Sequence, residues 1–115
     1  MSEDADAPVV IWSTWPDEVS AAAAARALVE DRLAACVLRW PDVTAVYRWR
    51  GAVEEGREIA MLIKTRASRV EAVFAAVAAR HPYEVPALIA LPIAAAAASY
   101  GAWILAETAP VAPTD

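Results

Sequence analysis

The segment VTAVYRWRG, residues Val43 to Gly51, decides the fold that the sequence predicts. Its side chains alternate as in a β-strand with two different faces. The apolar and aromatic set is Val43, Ala45, Tyr47 and Trp49, and the other set is Thr44, Val46, Arg48 and Arg50. Gly51 permits a hairpin, and the return strand, residues 57–65, contains the run IAMLI that suits a central strand buried on both faces. The middle of the chain is therefore predicted to be a β-hairpin.

A helix is predicted directly after this hairpin. Ser68 and Glu71 have the spacing of a capping box, with the serine at the N-cap and the glutamate three residues later. Apolar residues follow at helical spacing, at Val70, Val73, Phe74 and Val77. Pro82 is expected to end this helix, because the residue before a proline is driven out of the α-helical region.

The first third of the chain predicts a strand followed by a helix. The strand is expected at Val9–Ser13, and a turn at residues 14–17 leads to a helix from Asp17 to about Ala35. An apolar stripe is predicted on this helix at Ala22, Ala25, Leu28, Val29 and Leu33. A second strand is expected to begin at Cys36, with an interruption at residues 40–42 before the hairpin strand resumes.

The last third contains a long stretch without charge, Val85 to Ala106, which has enough residues to span a bilayer. Pro86 and Pro92 argue against a spanning helix, so a buried strand over residues 85–93 and a short helix from Ser99 to Glu107 are predicted instead. The complete order predicts an α+β protein, a ferredoxin-like βαββαβ sandwich with an extra C-terminal helix. We expect one domain over residues 8–108, with flexible tails at 1–7 and 109–115.

Composition limits the classes of partner. The chain has 115 residues, 59% of them hydrophobic, and a formal net charge of -5, which argues against general nucleic-acid binding. Arg48, Arg50, Lys64 and Arg66 either form a local basic patch or are solvated strand residues. The single cysteine and the absence of a signal-peptide pattern predict a cytoplasmic protein without a membrane partner.

Several motifs together resemble the CutA family of divalent-cation tolerance proteins. They are TWPDE (14–18), ALVEDRLAACV (27–37), YRWRG (47–51), LIKTRASR (62–69), HPYEVP (81–86), ALPI (90–93) and YGAW (100–103). The resemblance covers residues 9 to 107 and implies a tight homotrimer in which long hairpins reach neighbouring subunits. It also implies a role in the response to metal ions.

The chain departs from the usual pattern of that family at several positions. Leu38 stands where an asparagine is common, Arg50 replaces an acidic residue, and Ala87 replaces the glutamate that normally follows HPYEVP. Ser13 stands where some members have a cysteine, and Gly101 takes the place of a leucine. These changes remove possible metal ligands and leave the predicted fold unaffected.

Candidate metal ligands are His81, Glu84 and Cys36, whose imidazole, carboxylate and thiolate groups suit copper or zinc. Two structural explanations compete with this one: His81 also suits a helix terminus, and Cys36 also suits a buried position at the start of a strand. The residues offer no nucleophile with a paired base and no phosphate-binding loop, so no enzymatic activity and no required cofactor are predicted.

Two functions of different classes follow from the sequence. The first is a metal-responsive protein that binds Cu²⁺, or another divalent metal, weakly. The second is a trimeric sensor or scaffold, similar to nitrogen-regulatory proteins of the PII type, that binds a small anion between subunits. The predicted intersubunit cleft contains Tyr47, Arg48, Trp49, Lys64, Tyr83 and Trp103.

Overall fold

The computed structural model describes residues 6–110. Its elements in chain order are β1 (Pro8–Trp15), α1 (Glu18–Glu30), β2 (Cys36–Trp49), β3 (Ala52–Arg66), α2 (Val70–Arg80), β4 (Leu88–Pro92) and α3 (Ala98–Glu107). The four strands form one sheet in the order β2-β3-β1-β4, and every neighbouring pair is antiparallel. The predicted α+β class and the predicted order of elements are confirmed. Of the predicted tails, residues 1–5 and 111–115 lie outside the described range.

Helices α1 and α2 cover one face of the sheet. Alternate residues of β1 point towards them, and Ile11 and Trp15 are fully buried. The core cluster is Ile11, Trp15, Ala21, Ala24, Leu28, Ala34, Met61, Ile63, Val73 and Val77. On α1 the buried stripe contains Ala21 and Ala24, whereas Val29 of the predicted stripe is 42% exposed. The sequence did not show which face of α1 is buried, because alanine lies on every face and the pattern of large side chains that normally defines a buried stripe is missing.

The opposite face of the sheet is apolar and largely uncovered within the described part of the chain. The register brings Leu38, Leu62, Trp12 and Ile89 into one row across all four strands. Leu38 and Ile89 are exposed, and Trp40 lies edge-on against Trp12 with 5.6 Å between the ring centroids. An exposed apolar surface that spans a whole sheet is typical of a protein–protein interface.

The hairpin of β2 and β3 extends well beyond the rest of the sheet. β1 pairs with β3 only as far as Ile59, so residues 43–58, here called the arm, form a ribbon that pairs with no third strand among residues 6–110. The molecule measures 50 × 34 × 24 Å and its radius of gyration is 15.3 Å, against about 13 Å for a compact chain of this length. A two-stranded ribbon is at best marginally stable in water, so the arm needs further contacts.

Helix α1 ends earlier than predicted. Asp17 caps its N-terminus by accepting a hydrogen bond from the Ser20 amide at 2.8 Å, which lowers the pKa of Asp17. The helix stops at Glu30 because Arg32 adopts a left-handed conformation (φ 59°), and the Leu33 amide donates to the Leu28 carbonyl at 2.9 Å. This left-handed residue and this hydrogen bond are features of a Schellman motif, which usually has glycine at the left-handed position. Because the sequence has arginine at the left-handed position, it did not show where the helix ends.

Ser68 does not cap α2, contrary to the sequence prediction. A short 3₁₀ turn at Ala67–Arg69 precedes the helix, and no side chain of the described residues caps the helix N-terminus. The Ser68 hydroxyl instead donates to the carboxylate of Asp6, which lowers the pKa of Asp6. The contact with a residue 62 positions away in sequence overrides the local capping pattern. The C-terminal end of α2 is where the sequence predicted it, at Arg80.

The C-terminal segment is fixed by one arginine of β3. The Arg66 side chain is only 11% exposed, and it donates to Asp6 at 2.6 Å, to the Thr108 hydroxyl at 3.0 Å and to the Leu105 carbonyl. It therefore ties the start of β1, the end of β3 and the last turn of α3 together. Within residues 6–110 there is no helix whose length and hydropathy would let it cross a membrane.

Candidate functional site

His81 lies immediately after α2, where the chain turns towards β4. The imidazole is 8% exposed and stacks between Trp15 and Tyr83, with ring-centroid distances of 4.2 and 5.0 Å. Its Nε2 lies 2.7 Å from the Thr14 carbonyl oxygen, and its Nδ1 lies 3.1 Å from the Tyr83 amide nitrogen. Because an amide can only donate and a carbonyl can only accept, these contacts assign the neutral tautomer with its proton on Nε2.

Both nitrogens of His81 are thus occupied by backbone groups. The imidazole connects the end of β1 to the loop after α2, which is the structural role that the sequence left open. A metal ion would have to displace one of these two hydrogen bonds, because each ring nitrogen offers one position only. His81 is consequently not a preformed ligand.

The other two predicted ligands, Glu84 and Cys36, do not complete a set of three ligands with His81. The Glu84 carboxylate is exposed and lies 3.9 Å from the Arg50 guanidinium. Cys36 pairs with Lys64, which is opposite Val10, and Val10 is four residues, about 13 Å, from Thr14 along β1. Among residues 6–110 no three His, Cys, Asp or Glu side chains are placed to hold one metal ion. His81, Glu84 and Cys36 therefore do not form a metal site within one subunit.

A groove of about 560 Å³ lies between the arm and the loop after α2, within the size range of small-molecule sites. It brings together Tyr47, Trp49 and Tyr83 of the predicted cleft and Glu84 of the predicted metal site. The remaining lining residues are Thr14, Ala45, Glu54, Glu58, Val85, Pro86 and Ala87. The sequence-based prediction missed Glu54 and Glu58, although the strand alternation puts both on the same face of the arm as Tyr47.

The groove is acidic. Tyr47 is the cross-strand partner of Glu54, and Glu58 lies further along the same strand. Reduced hydration raises the pKa of Tyr83, and the negative charge of Glu58 raises it further. A neutral phenol therefore faces carboxylates in this groove, and an anionic ligand would be repelled.

The other predicted cleft residues do not line the groove. Arg48 has the opposite strand parity from Tyr47 and Trp49, and therefore lies on the other face of the arm. The Lys64 ammonium donates to the Tyr100 hydroxyl at 2.8 Å, which raises the pKa of Lys64, and Trp103 stacks on Tyr100. With Arg66 largely buried, the positive residues of the two strands are dispersed and do not form one patch.

Fold and groove together define a class: a small α+β sandwich protein with a projecting two-stranded arm and a ligand-sized groove beneath it. Residues 9–107 match the model of the CutA1 divalent ion tolerance protein family. The chain belongs to this family, which confirms the resemblance read from the motifs. The family description names tolerance of divalent ions and no reaction, which agrees with the prediction of no enzymatic activity.

Individual relatives agree with this assignment. The chain is 46% identical over 91 residues to "Protein CutA" of Mus musculus, covering 79% of this chain and 51% of the mouse protein. It thus spans about half the length of that mammalian relative. Among solved structures, the "Divalent cation tolerance protein (Cut A1)" of Thermus thermophilus superposes with a TM-score of 0.86 at 42% identity, covering 88% of this chain and 98% of that one.

A third relative bears on cellular location. The structure named "Periplasmic divalent cation tolerance protein CutA" from Archaeoglobus fulgidus has a TM-score of 0.85 at 33% identity, covering 88% of this chain and 98% of the other. That name places the archaeal protein in the periplasm. The cytoplasmic location of the present chain stays a prediction.

Proposed function

We propose that this divalent-cation tolerance protein acts as a homotrimer and that it binds Cu²⁺ directly but weakly. The observation that carries the trimer is the arm, a ribbon whose two strands pair only with each other over residues 43–49 and 52–58. About seven residue pairs extend some 23 Å, and among the described residues no third strand or helix covers either face of this ribbon. Contacts from other subunits would supply the missing stabilisation.

The apolar face of the sheet supports the same proposal. Leu38, Trp40, Ile89 and Leu91 lie there with 39–54% of their surface exposed. Burial of such side chains contributes about 25 cal/mol per Å² removed from water. A trimer that joins these faces would cover both the apolar row and the open edge of β2.

The mass of the particle tests the assembly. Light scattering at micromolar concentration should give three times the 12.3 kDa subunit mass. Leu38→Lys places a charge on the apolar sheet face and should release monomers. Val19→Lys adds the same charge at an 81% exposed position of α1 and should leave the mass unchanged. A stable, folded wild-type monomer would refute the trimer.

Weak Cu²⁺ binding is the second part of the proposal, with His81 and Glu84 as the ligands from one subunit. Nitrogen and oxygen donors favour Cu²⁺ over Zn²⁺. We expect low affinity because the metal must displace a backbone hydrogen bond of His81, and because position 87 offers no carboxylate. Cys36 is excluded as a third ligand from the same subunit by its position opposite Lys64. Because residues 6–110 place no three His, Cys, Asp or Glu side chains together, a third ligand of these types would come from a neighbouring subunit.

Calorimetric titration with Cu²⁺ and Zn²⁺ tests this part. Glu84→Gln should weaken Cu²⁺ binding, whereas Glu55→Gln makes the same charge change on the opposite face of the arm and should not. His81→Gln, titrated under conditions where it is folded, should abolish the specific site. Equal Cu²⁺ binding by His81→Gln and the parent would assign the metal to surface carboxylates.

The sensor hypothesis has less support. Lys64 and Arg48, which would attract an anion, lie away from the aromatic groove, and the groove itself contains three glutamates. An anion site would therefore have to be assembled between subunits from residues that are separate in one chain. The absence of nucleic-acid and membrane partners stays a prediction from charge and composition.

A further inference from the structure

We infer that, in the homotrimer proposed above and on which this inference rests, Arg48 of one subunit enters the groove of the next subunit and pairs there with Glu54 and Glu58. The groove lies beside the arm and the sheet face that the trimer covers. A second copy of the chain is therefore the partner that occupies it, and the arm of that copy supplies the contact.

Two carboxylates of the groove have no positive partner among residues 6–110. Glu54 and Glu58 line the groove, and neither forms an ion pair with a described residue. The third carboxylate, Glu84, lies 3.9 Å from the Arg50 guanidinium. An unpaired charge that is removed from water costs free energy. An interface that covers this groove therefore requires a cation from the covering subunit.

Arg48 is the cation of the arm that is available for this role. The sequence contains ten lysine and arginine residues, and eight of them contact a carboxylate, hydroxyl or carbonyl oxygen of another described residue. The other two, Arg48 and Arg80, have no such contact among residues 6–110. Arg80 lies in the last turn of α2, where a positive charge favours the helix terminus. This leaves Arg48 for the groove.

Strand parity prevents Arg48 from entering the groove of its own subunit. Tyr47 and Glu54 form a cross-strand pair on the groove face of the arm, whereas Arg48 pairs with Val53 on the opposite face. A cyclic trimer is built from heterologous contacts, in which two different patches of each subunit meet. The groove and the opposite face of the arm are two such patches, and three identical contacts between them close a ring.

The surroundings of Arg48 match the groove chemically. Its neighbours on the opposite face of the arm, Val46 and Val53, are 65% and 64% exposed, and three aromatic rings line the groove. Aromatic faces attract guanidinium groups, and arginine, tyrosine and tryptophan contribute most to binding energy at interfaces. Glu55 lies diagonally from Arg48 on the same face, but the two form no ion pair within the chain.

Light scattering of the full-length protein over a dilution series tests the contact, and circular dichroism checks that each variant is folded. Arg48→Glu brings a carboxylate against the groove and should release monomers of 12.3 kDa where the parent has three times that mass. Arg48→Met removes the charge and keeps an apolar stem, and should raise the concentration of half-dissociation about 30-fold or more. Arg80→Glu reverses the same charge at an exposed position of α2 and should leave the mass unchanged.

A double charge exchange distinguishes a direct contact from a general effect of charge. Glu54→Arg should also release monomers, because it places a positive charge in the groove that receives Arg48. Arg48→Glu combined with Glu54→Arg recreates the ion pair with reversed signs and should restore the trimer. Arg48→Glu combined with Glu71→Arg has the same net charge, but it changes an exposed residue of α2 and should stay monomeric.

The outcomes separate this contact from the trimer itself. A monomeric parent would refute the trimer, and the contact with it. A trimeric parent whose mass at every dilution is unchanged by Arg48→Glu would overturn the contact and leave the trimer intact. If both single variants are folded monomers and the folded double variant is also monomeric, the pairing of Arg48 with Glu54 is wrong.

Discussion

Replacement of His81 is expected to destabilise the protein strongly, whether or not a metal binds. His81→Ala removes the hydrogen bonds to Thr14 and Tyr83, at 2.7 and 3.1 Å, each contributing about 0.5–1.5 kcal/mol. It also removes the ring contacts with Trp15 and Tyr83, at 4.2 and 5.0 Å, each worth about 0.5–1.5 kcal/mol. Because these contributions overlap, we expect a loss of about 2–4 kcal/mol in the free energy of unfolding.

Urea denaturation followed by circular dichroism measures this loss. The experiment is run at two protein concentrations, because assembly makes the midpoint depend on concentration. His81→Gln keeps an N–H donor for the Thr14 carbonyl and should recover part of the loss. A loss below about 0.5 kcal/mol for His81→Ala, with metal chelated, would show that the imidazole is not a structural connector and would strengthen its assignment as a ligand.

Three further substitutions test particular contacts. Arg66→Met should lower the free energy of unfolding in urea by about 2–4 kcal/mol, since it removes three hydrogen bonds of a mostly buried guanidinium. Arg57→Met, at an 82% exposed side chain, should change this free energy by less than about 0.5 kcal/mol. Equal effects of the two substitutions would contradict the role of Arg66 in fixing the C-terminal segment. Asp17→Ala should lower the urea midpoint at pH 7. The folded-state pKa of Asp17 lies below its ordinary value of 3.8, so this stabilisation is complete above pH 3.8 and is lost as the pH falls through the folded-state pKa. A difference in midpoint between Asp17→Ala and the parent that persists at still lower pH would exclude the carboxylate as the cause. Ser68→Ala and Asp6→Ala should show a coupling of about 0.5–1.5 kcal/mol in a double-mutant cycle of urea denaturation, whereas additive effects would indicate that the two residues do not interact.

Local patterns were sufficient for most of the secondary structure. Alternation in residues 43–50, helical spacing from Val70 to Val77 and the prolines at 82, 86 and 92 each act within a few residues. The elements that they predict are present, but the strand expected to be buried over residues 85–93 is Leu88–Pro92 and is largely exposed, because one face of the sheet is uncovered among residues 6–110. The strand interruption expected at residues 40–42 is a bulge within a continuous β2, with Asp42 at φ 63°. Local sequence thus located the irregularity and overestimated its effect, because pairing with β3 continues on both sides.

Predictions failed where a distant residue competes with a local pattern. Ser68 and Glu71 have the spacing of a capping box, but Asp6 offers the Ser68 hydroxyl a carboxylate acceptor. The end of α1 is set by a Schellman motif with arginine at the left-handed position, next to a Thr65 hydroxyl that donates to the Leu33 carbonyl at 2.7 Å. Neither partner is near in sequence, so no local rule contains this information.

The groove was also predictable from the sequence only in part. The family resemblance predicted a cleft that contains aromatic residues of the arm and Tyr83, and Tyr47, Trp49 and Tyr83 line one groove in the structure. Only the tertiary structure showed that both His81 nitrogens bind backbone groups, that Cys36 lies several residues along the sheet from His81, and that Glu54 and Glu58 join the aromatic residues. Sequence spacing fixes which face of a strand a side chain occupies, because the period of two is local. Which faces meet, and which polar atoms are already satisfied, depends on how the arm and the loop after α2 pack together.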